Sequence, residues 1–323
     1  MPVPGLDRFS TFHCAPDDFE TFWERTVAEL DSIGPDTDVG RLQSPLPGVV
    51  LERVAYRSLG DVPICGYLLR QDGASRRPLI VHTHGYNARY DVMVDWARRG
   101  NHVFGFDARG FGRSAGGLAV DGHGYVLTGI MSPRESILRG AVCDYIQASR
   151  TAAALLDGRV SRTVHTGFSF GGALALMASA VGDGTDMVVV GQPTFGWTSE
   201  RRRLALGGST AEINAYVEKY PWRLDAVTTT LEYFDTLHFA PLIGAPVLVG
   251  IGLDDDIVPS RTVLAVVNRM QCPLEVRLLP VSHSDDLRES LWYVFDEEWL
   301  ELVESGPTPD FGVSERQVRV LGD

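Results

Sequence analysis

The sequence is short of positive charge, of cysteine and of long apolar runs, and each shortage removes a class of function. Lys and Arg together number 29 against 42 Asp and Glu, a formal net charge of −13. Such a chain repels polyanions, so nucleic acid is not an expected partner and uncharged substrates are favoured. The four cysteines, Cys14, Cys65, Cys143 and Cys272, are scattered with no Cys-x-x-Cys pair. That usage fits thiols in a reducing compartment better than a disulfide framework or a zinc site, so neither metal nor cofactor is expected. No apolar run reaches the roughly 18 residues of a spanning segment, and the opening MPVPGLDRFSTFHCAPDDF has neither a basic start nor an apolar stretch. Membrane insertion and secretion are not expected, and the chain reads as cytoplasmic.

What is present is ordinary globular material: 323 residues, 44% hydrophobic and 22% charged, enough for one large α/β domain. Phe19, Phe22, Trp23, Val27 and Leu30 recur mostly at three- and four-residue spacings and predict an amphipathic helix over 17–33. VVLERVAYR and VPICGYLLR flank a Ser-Leu-Gly-Asp turn and predict an antiparallel pair at a sheet edge. From Pro78 onward apolar strands (PLIVHTH, HVFGFD, RTVHTGF, MVVVGQP, PVLVGIG, LEVRLLP) alternate with helical stretches. This is the pattern of a doubly wound, mostly parallel sheet covered on both faces, within a single domain spanning 1–323. Residues 194–236 interrupt the alternation with helical pieces and predict an inserted lid. Residues 305–323 follow the last helix and read as a loose tail or an arm onto a neighbouring subunit.

The segment RTVHTGFSFGGALALMASA at 162–180 reads as a buried strand, a tight turn and an apolar helix with Ser169 at the apex. Gly167 and Gly171 stand two residues to either side, where strand and helix backbones approach too closely for a side chain. This is a nucleophile elbow. Gly112-Arg113-Ser114-Ala115-Gly116 has the same spacing but lies in a polar loop with no apolar helix behind it, so Ser114 is rejected.

A serine hydroxyl needs a base, and an imidazole is the better base when a carboxylate fixes its tautomer. After this elbow the acid and then the histidine follow, each on a loop after a strand. PVLVGIG ends in Leu253-Asp254-Asp255-Asp256 and LEVRLLP ends in Val281-Ser282-His283. Among eight histidines, His82, His102 and His165 fall within strands, His13 and His238 flank helices, and His123 sits in a glycine-flanked loop upstream. His283 is the base. Asp255 is the preferred acid, standing between Gly252 and Pro259, with Asp254 and Asp256 as solvated charges. The two oxyanion N–H donors are assigned to Phe170, next to the nucleophile, and Tyr86, in the His84-Gly85-Tyr86 turn; His84 itself reads as structural.

With these residues in place the chain resembles the acetyl xylan esterase and cephalosporin C deacetylase family of α/β-hydrolases. The likeness rests on APDDFETFW, HGYNAR at 84–89, RGFGRSAG at 109–116, DGHGYVLTGI at 121–130, GFSFGG at 167–172 and the long stretch 228–263 containing GLDDDIVPS. The resemblance implies a metal-free serine esterase removing acetyl groups from sugars and related small alcohols, with Ser169, Asp255 and His283 as its triad. It also implies a homo-oligomer, in that family often a hexameric ring. The chain departs from the family at Phe111, Phe170 and Ser284, where glutamine, glutamine and glutamate are usual. Two phenylalanines beside the cleft predict a taste for less polar alcohols. Acyl transfer on the same residues and a catalytically silent binding protein remain as alternatives.

Overall fold

The computed structural model describes residues 11, 13–34, 36–73, 75–116, 118–283, 285, 291–304 and 317–321. Ten strands among them form one sheet: β1 Thr37–Leu42, β2 Val49–Ser58, β3 Val62–Gln71, β4 Arg77–Thr83, β5 His102–Phe106, β6 Val160–Phe168, β7 Met187–Gly191, β8 Val247–Gly252, β9 Leu274–Leu279 and β10 Gln317–Val320. Their order is β1-β2-β3-β5-β4-β6-β7-β8-β9-β10. β1, β2, β3 and β5 pair antiparallel, and every pairing from β5 through β4 to β10 is parallel. All six apolar strands expected from the sequence are present.

Two local expectations change. β2 and β3 pair as foreseen, but β1 covers β2, so the predicted edge pair lies one strand in. β1 escapes a hydrophobicity pattern because its residues, TDVGRL, are half-buried or exposed throughout. At the far end, residues 317–320 are neither a loose tail nor an arm onto a neighbour: they add β10 alongside β9 of the same sheet. Of the side chains expected to bury against another subunit, Val320 is 47% exposed, Leu321 packs on the chain's own core, and the Val318 side chain lies outside the description.

The parallel strands are apolar on both faces because helices cover both. Leu79, Val81, Val188, Val190, Val247, Val249 and Ile251 enter one core, with α1 Phe19–Asp31, α3 Ile137–Leu156, α4 Phe170–Val181, α8 Thr236–Phe239 and α9 Ser260–Val267. The intervening residues Ile80, Met187, Val189 and Leu248 enter the other with Trp292, Phe295 and Trp299, which belong to α10 Leu291–Glu304; α2 Val94–Arg98 lies between β4 and β5. The period of two along each strand sets this division. Between β7 and β8 the chain forms α5 Thr198–Leu204, α6 Gly208–Lys219 and α7 Leu224–Glu232, the helices expected in 194–236. Among the described residues no helix is long and apolar enough to cross a membrane.

Candidate active site

The sheet brings its candidate residues together at the carboxyl ends of its central strands, where ligands of open α/β sheets bind. Ser169 follows β6 directly and caps α4 with φ 54° and ψ −112°, a left-handed conformation that costs a non-glycine residue energy. The turn is fixed from both sides, since Ser169 N–H donates to Gly191 O at 2.9 Å and Thr194 N–H donates to Ser169 O at 3.2 Å. The glycine argument holds in atoms: a Cβ on Gly167 would lie 2.3 Å from the Gly171 carbonyl carbon, and one on Gly171 would lie 2.5 Å from Thr83 O. Ser114 sits in a 3-10 turn, Gly112–Ser114, and its buried hydroxyl accepts from Cys65 N–H at 2.9 Å. Its role is structural.

Asp255 and His283 meet. The His283 Nδ1–H donates to Asp255 Oδ2 at 3.1 Å, while Asp255 Oδ1 accepts from Ile257 N–H at 2.9 Å and Val258 N–H at 2.8 Å. Asp254 and Asp256 are exposed. This arrangement leaves His283 Nε2 as the basic nitrogen. Gln192, which no sequence signal singled out, fastens the acid loop to β7: its Nε2 donates to Val258 O at 2.6 Å, and its Oε1 accepts from Gly252 N–H at 2.5 Å. Phe168 stacks at 5.0 Å on the His283 ring, with Trp292 behind it at 4.9 Å. Asp285 accepts from Ser282 N–H at 2.6 Å and shapes the histidine turn; Ser284 lies outside the described residues.

Ser169 and His283 line one cleft of about 270 Å³, with Gly85, Tyr86, Asn87, Thr194 and Arg201 among the other walls. Hydrogen bonding does not join Ser169 Oγ to His283 in this ligand-free state, and such contacts often tighten only around substrate. Phe170 is the first residue of α4, so its N–H sits among the unpaired donors of a helix start, and Tyr86 is in the turn after β4. His84 holds that turn, with Nδ1–H donating to Gly85 O at 2.7 Å and Nε2 accepting from Ala108 N–H at 3.1 Å; burial lowers its pKa and favours this neutral form. The Tyr86 hydroxyl accepts from Val126 N–H at 3.0 Å and donates to Glu212 of α6 at 2.5 Å. Burial raises the pKa of Tyr86, and also that of Glu212.

The side chains of Phe111 and Phe170 do not flank the cleft as the sequence suggested. Phe170 is fully buried, 5.8 Å from both Phe111 and Tyr125 and 5.7 Å from Tyr86 between ring centroids. Two aromatics replacing two amides pack against each other behind the oxyanion turn, because their mutual burial outweighs what either gains facing water. The argument for apolar alcohols falls with this placement.

The other histidines have structural partners. His82 takes a hydrogen bond from Tyr67 at 2.6 Å, and His165 bonds Ser149 and Ser179, each at 2.9 Å. His13 and His238 both bond Glu232 Oε2, at 2.6 and 3.0 Å, and His238 lies inside α8 instead of flanking a helix. These three form a group with metal-ligand composition, but the spacings are those of a carboxylate accepting from two imidazoles, and none of the three lines the Ser169 cleft.

Known structures share this architecture. The chain superposes on an acetyl xylan esterase from Paenibacillus sp. R4 with a TM-score of 0.85, at 24% identity over 95% of this chain and 100% of that one. For acetyl xylan esterase 1 from Thermoanaerobacterium sp. JW/SL YS485 the TM-score is 0.82, at 22% identity over 94% and 99%. An acylaminoacyl peptidase from Pyrococcus horikoshii matches more distantly, with a TM-score of 0.59 at 16% identity over 82% of this chain and 43% of that one. The fold is therefore that of the α/β-hydrolases. The family model for acetyl xylan esterase (AXE1) matches residues 1–295, so the chain belongs to that family and is a carboxylic ester hydrolase.

Proposed function

We propose that the protein is a serine esterase that removes acetyl groups from a small sugar or natural-product alcohol. Ser169 Oγ attacks the acyl carbon while its proton passes to His283 Nε2. The oxyanion takes hydrogen bonds from the Tyr86 and Phe170 N–H groups, the ester C–O bond breaks, and the alcohol leaves with the proton from His283. Water activated by the same imidazole then releases acetate from acetyl-Ser169. The observation that carries this reading is the His283–Asp255 hydrogen bond at 3.1 Å, made by an imidazole that shares its cleft with the strained Ser169. Family membership supports acetyl as the acyl group. The small cleft and the tightly tied Tyr86 turn support a short acyl chain. Residues 194–236 act as a lid in this reading, since Arg201, Gly207, Gly208 and Ser209 wall the cleft. The protein acts as a cytoplasmic homo-oligomer, an expectation that light scattering of the full chain tests.

A serine-directed fluorophosphonate tests the chemistry. An adduct on Ser169 of folded protein is expected, and its absence overturns the reading. Comparing nitrophenyl acetate, butyrate and octanoate tests the acyl group: kcat/KM falls roughly tenfold or more from acetate to octanoate, at about 1–3 kcal/mol for each methylene that does not fit. A preference for octanoate overturns the short-acyl reading.

A further inference from the structure

The wall of the cleft contains a guanidinium with half of its donors unspent. Arg201, on α5, is 1% exposed and lines the cleft together with Ser169 and His283. Its Nη1 donates to Thr194 Oγ1 at 3.1 Å and to Ser209 Oγ at 3.2 Å, and its head lies 4.9 Å from the Phe195 ring centroid. Nε and Nη2 are buried and have no hydrogen-bond partner. The nearby carboxylate of Asp235 is committed elsewhere: Oδ1 accepts from Trp197 N–H at 2.9 Å and Leu237 N–H at 3.0 Å, and Oδ2 from Thr198 N–H at 2.6 Å. Burial depresses the pKa of Arg201 to about 10, which still leaves it charged at neutral pH.

An unpaired buried charge is among the costlier things a protein can hold, because desolvation is uncompensated until a counter-charge arrives. The two vacant nitrogens are also the matched ones: Nε–H and one Nη2–H form the parallel fork that grips both oxygens of a carboxylate. Above the fork the wall is thin. Gly207 and Gly208 have only Ile257 within 4 Å of where a Cβ would stand, so this turn gives way to a ligand without displacing a packed side chain.

The geometry points to Arg201 as a carboxylate anchor, so that the preferred substrate is an ester carrying a carboxylate on its alcohol or on its acyl part. This rests on the esterase reading and deepens it by naming the substrate class. It also reverses the expectation of uncharged substrates: net charge sums the whole surface, whereas recognition is set by the one cation facing the ester.

The test uses wild-type protein first. One arm compares nitrophenyl hemisuccinate with its methyl ester, placing the carboxylate on the acyl side; the other compares O-acetyl-lactate with its amide, placing it on the alcohol side. A preference for the charged member of about ten- to hundredfold in kcat/KM is expected in one arm, the worth of a charge-assisted hydrogen bond. Equal rates in both arms, from enzyme that hydrolyses nitrophenyl acetate, overturn the inference and leave the esterase reading standing. In Arg201→Gln the preference ratio falls towards one, chiefly through KM, and Arg201→Lys restores part of it. A ratio unchanged in a folded Arg201→Gln overturns the assignment. Calorimetric binding of succinate against succinamide gives a readout that needs no turnover. Tighter succinate binding upholds the anchor even if every ester resists hydrolysis, in which case the esterase reading alone fails; equal binding of the two overturns it.

Discussion

His283 Nδ1 lies 3.1 Å from Asp255 Oδ2, while the other oxygen of that carboxylate is held by two backbone N–H groups of its own loop. The acid is thus fixed before it orients the base. Asp255→Asn presents the imidazole with an amide and the wrong tautomer, and turnover is expected to fall roughly 10⁴-fold. The exposed neighbours set the control: Asp254→Asn and Asp256→Asn stay within a few-fold of wild type in kcat for nitrophenyl acetate. Damage concentrated at Asp256 instead puts the acid one residue later.

The two serines in elbow-like patterns separate by what they lose. Ser169→Ala removes the nucleophile and is expected to cost on the order of 10⁴ to 10⁶ in kcat with little change in melting. Ser114→Ala strands the buried Cys65 N–H that its hydroxyl receives. The expected loss there is about 1–3 kcal/mol of stability by denaturant titration, with turnover of the folded enzyme nearly kept. Equal kinetic losses at both sites contradict the elbow assignment.

Arg109 grips Asp144 with Nη2 to Oδ1 at 2.7 Å and Nε to Oδ2 at 3.0 Å, the carboxylate being fully buried. Removing one member of such a pair leaves the other charge uncompensated, so Asp144→Ala is expected to destabilise by about 3–5 kcal/mol. Urea unfolding of wild type and variant measures it, and a loss below about 1 kcal/mol contradicts the argument.

Burial lowers the pKa of His82 and of His165 to about 3, whereas the unfolded chain titrates near ~6.5. Below that value the unfolded state binds protons that the folded state refuses. Stability is therefore full above about pH 6.5 and is lost as pH falls towards about 3, by roughly 1.4 kcal/mol per pH unit for each histidine. Denaturant titrations at pH 7, 5.5 and 4.5 give the slope. His165→Gln is expected to flatten it by about one histidine's share; an unaltered slope shows that His165 takes up its proton without unfolding.

Much of the fold was legible because burial on both faces leaves an unmistakable apolar run, and β4 to β9 all appear in that form. β1 was not, since a strand covering an edge buries too little to leave a pattern. β10 was not, because an isolated QVRV gains its structure only from the backbone of β9. The helices between β7 and β8 were visible as helices, but three consecutive arginines read alike in sequence; folding buries Arg201 and leaves Arg203 exposed.

The sequence alone determined the residues whose roles follow from backbone necessity or chain order: the Gly167 and Gly171 approach around Ser169, and an acid and a histidine on successive strand-end loops. Tertiary structure alone decided where side chains point. It chose Asp255 among three aspartates by burying one and exposing two. It turned Phe111 and Phe170 inward, and it set the Arg201 guanidinium in the cleft wall with a vacant fork. Spacing along a chain fixes which backbone positions can be neighbours, whereas desolvation and packing, which depend on everything arriving from elsewhere in the sequence, fix what those neighbours offer to a substrate.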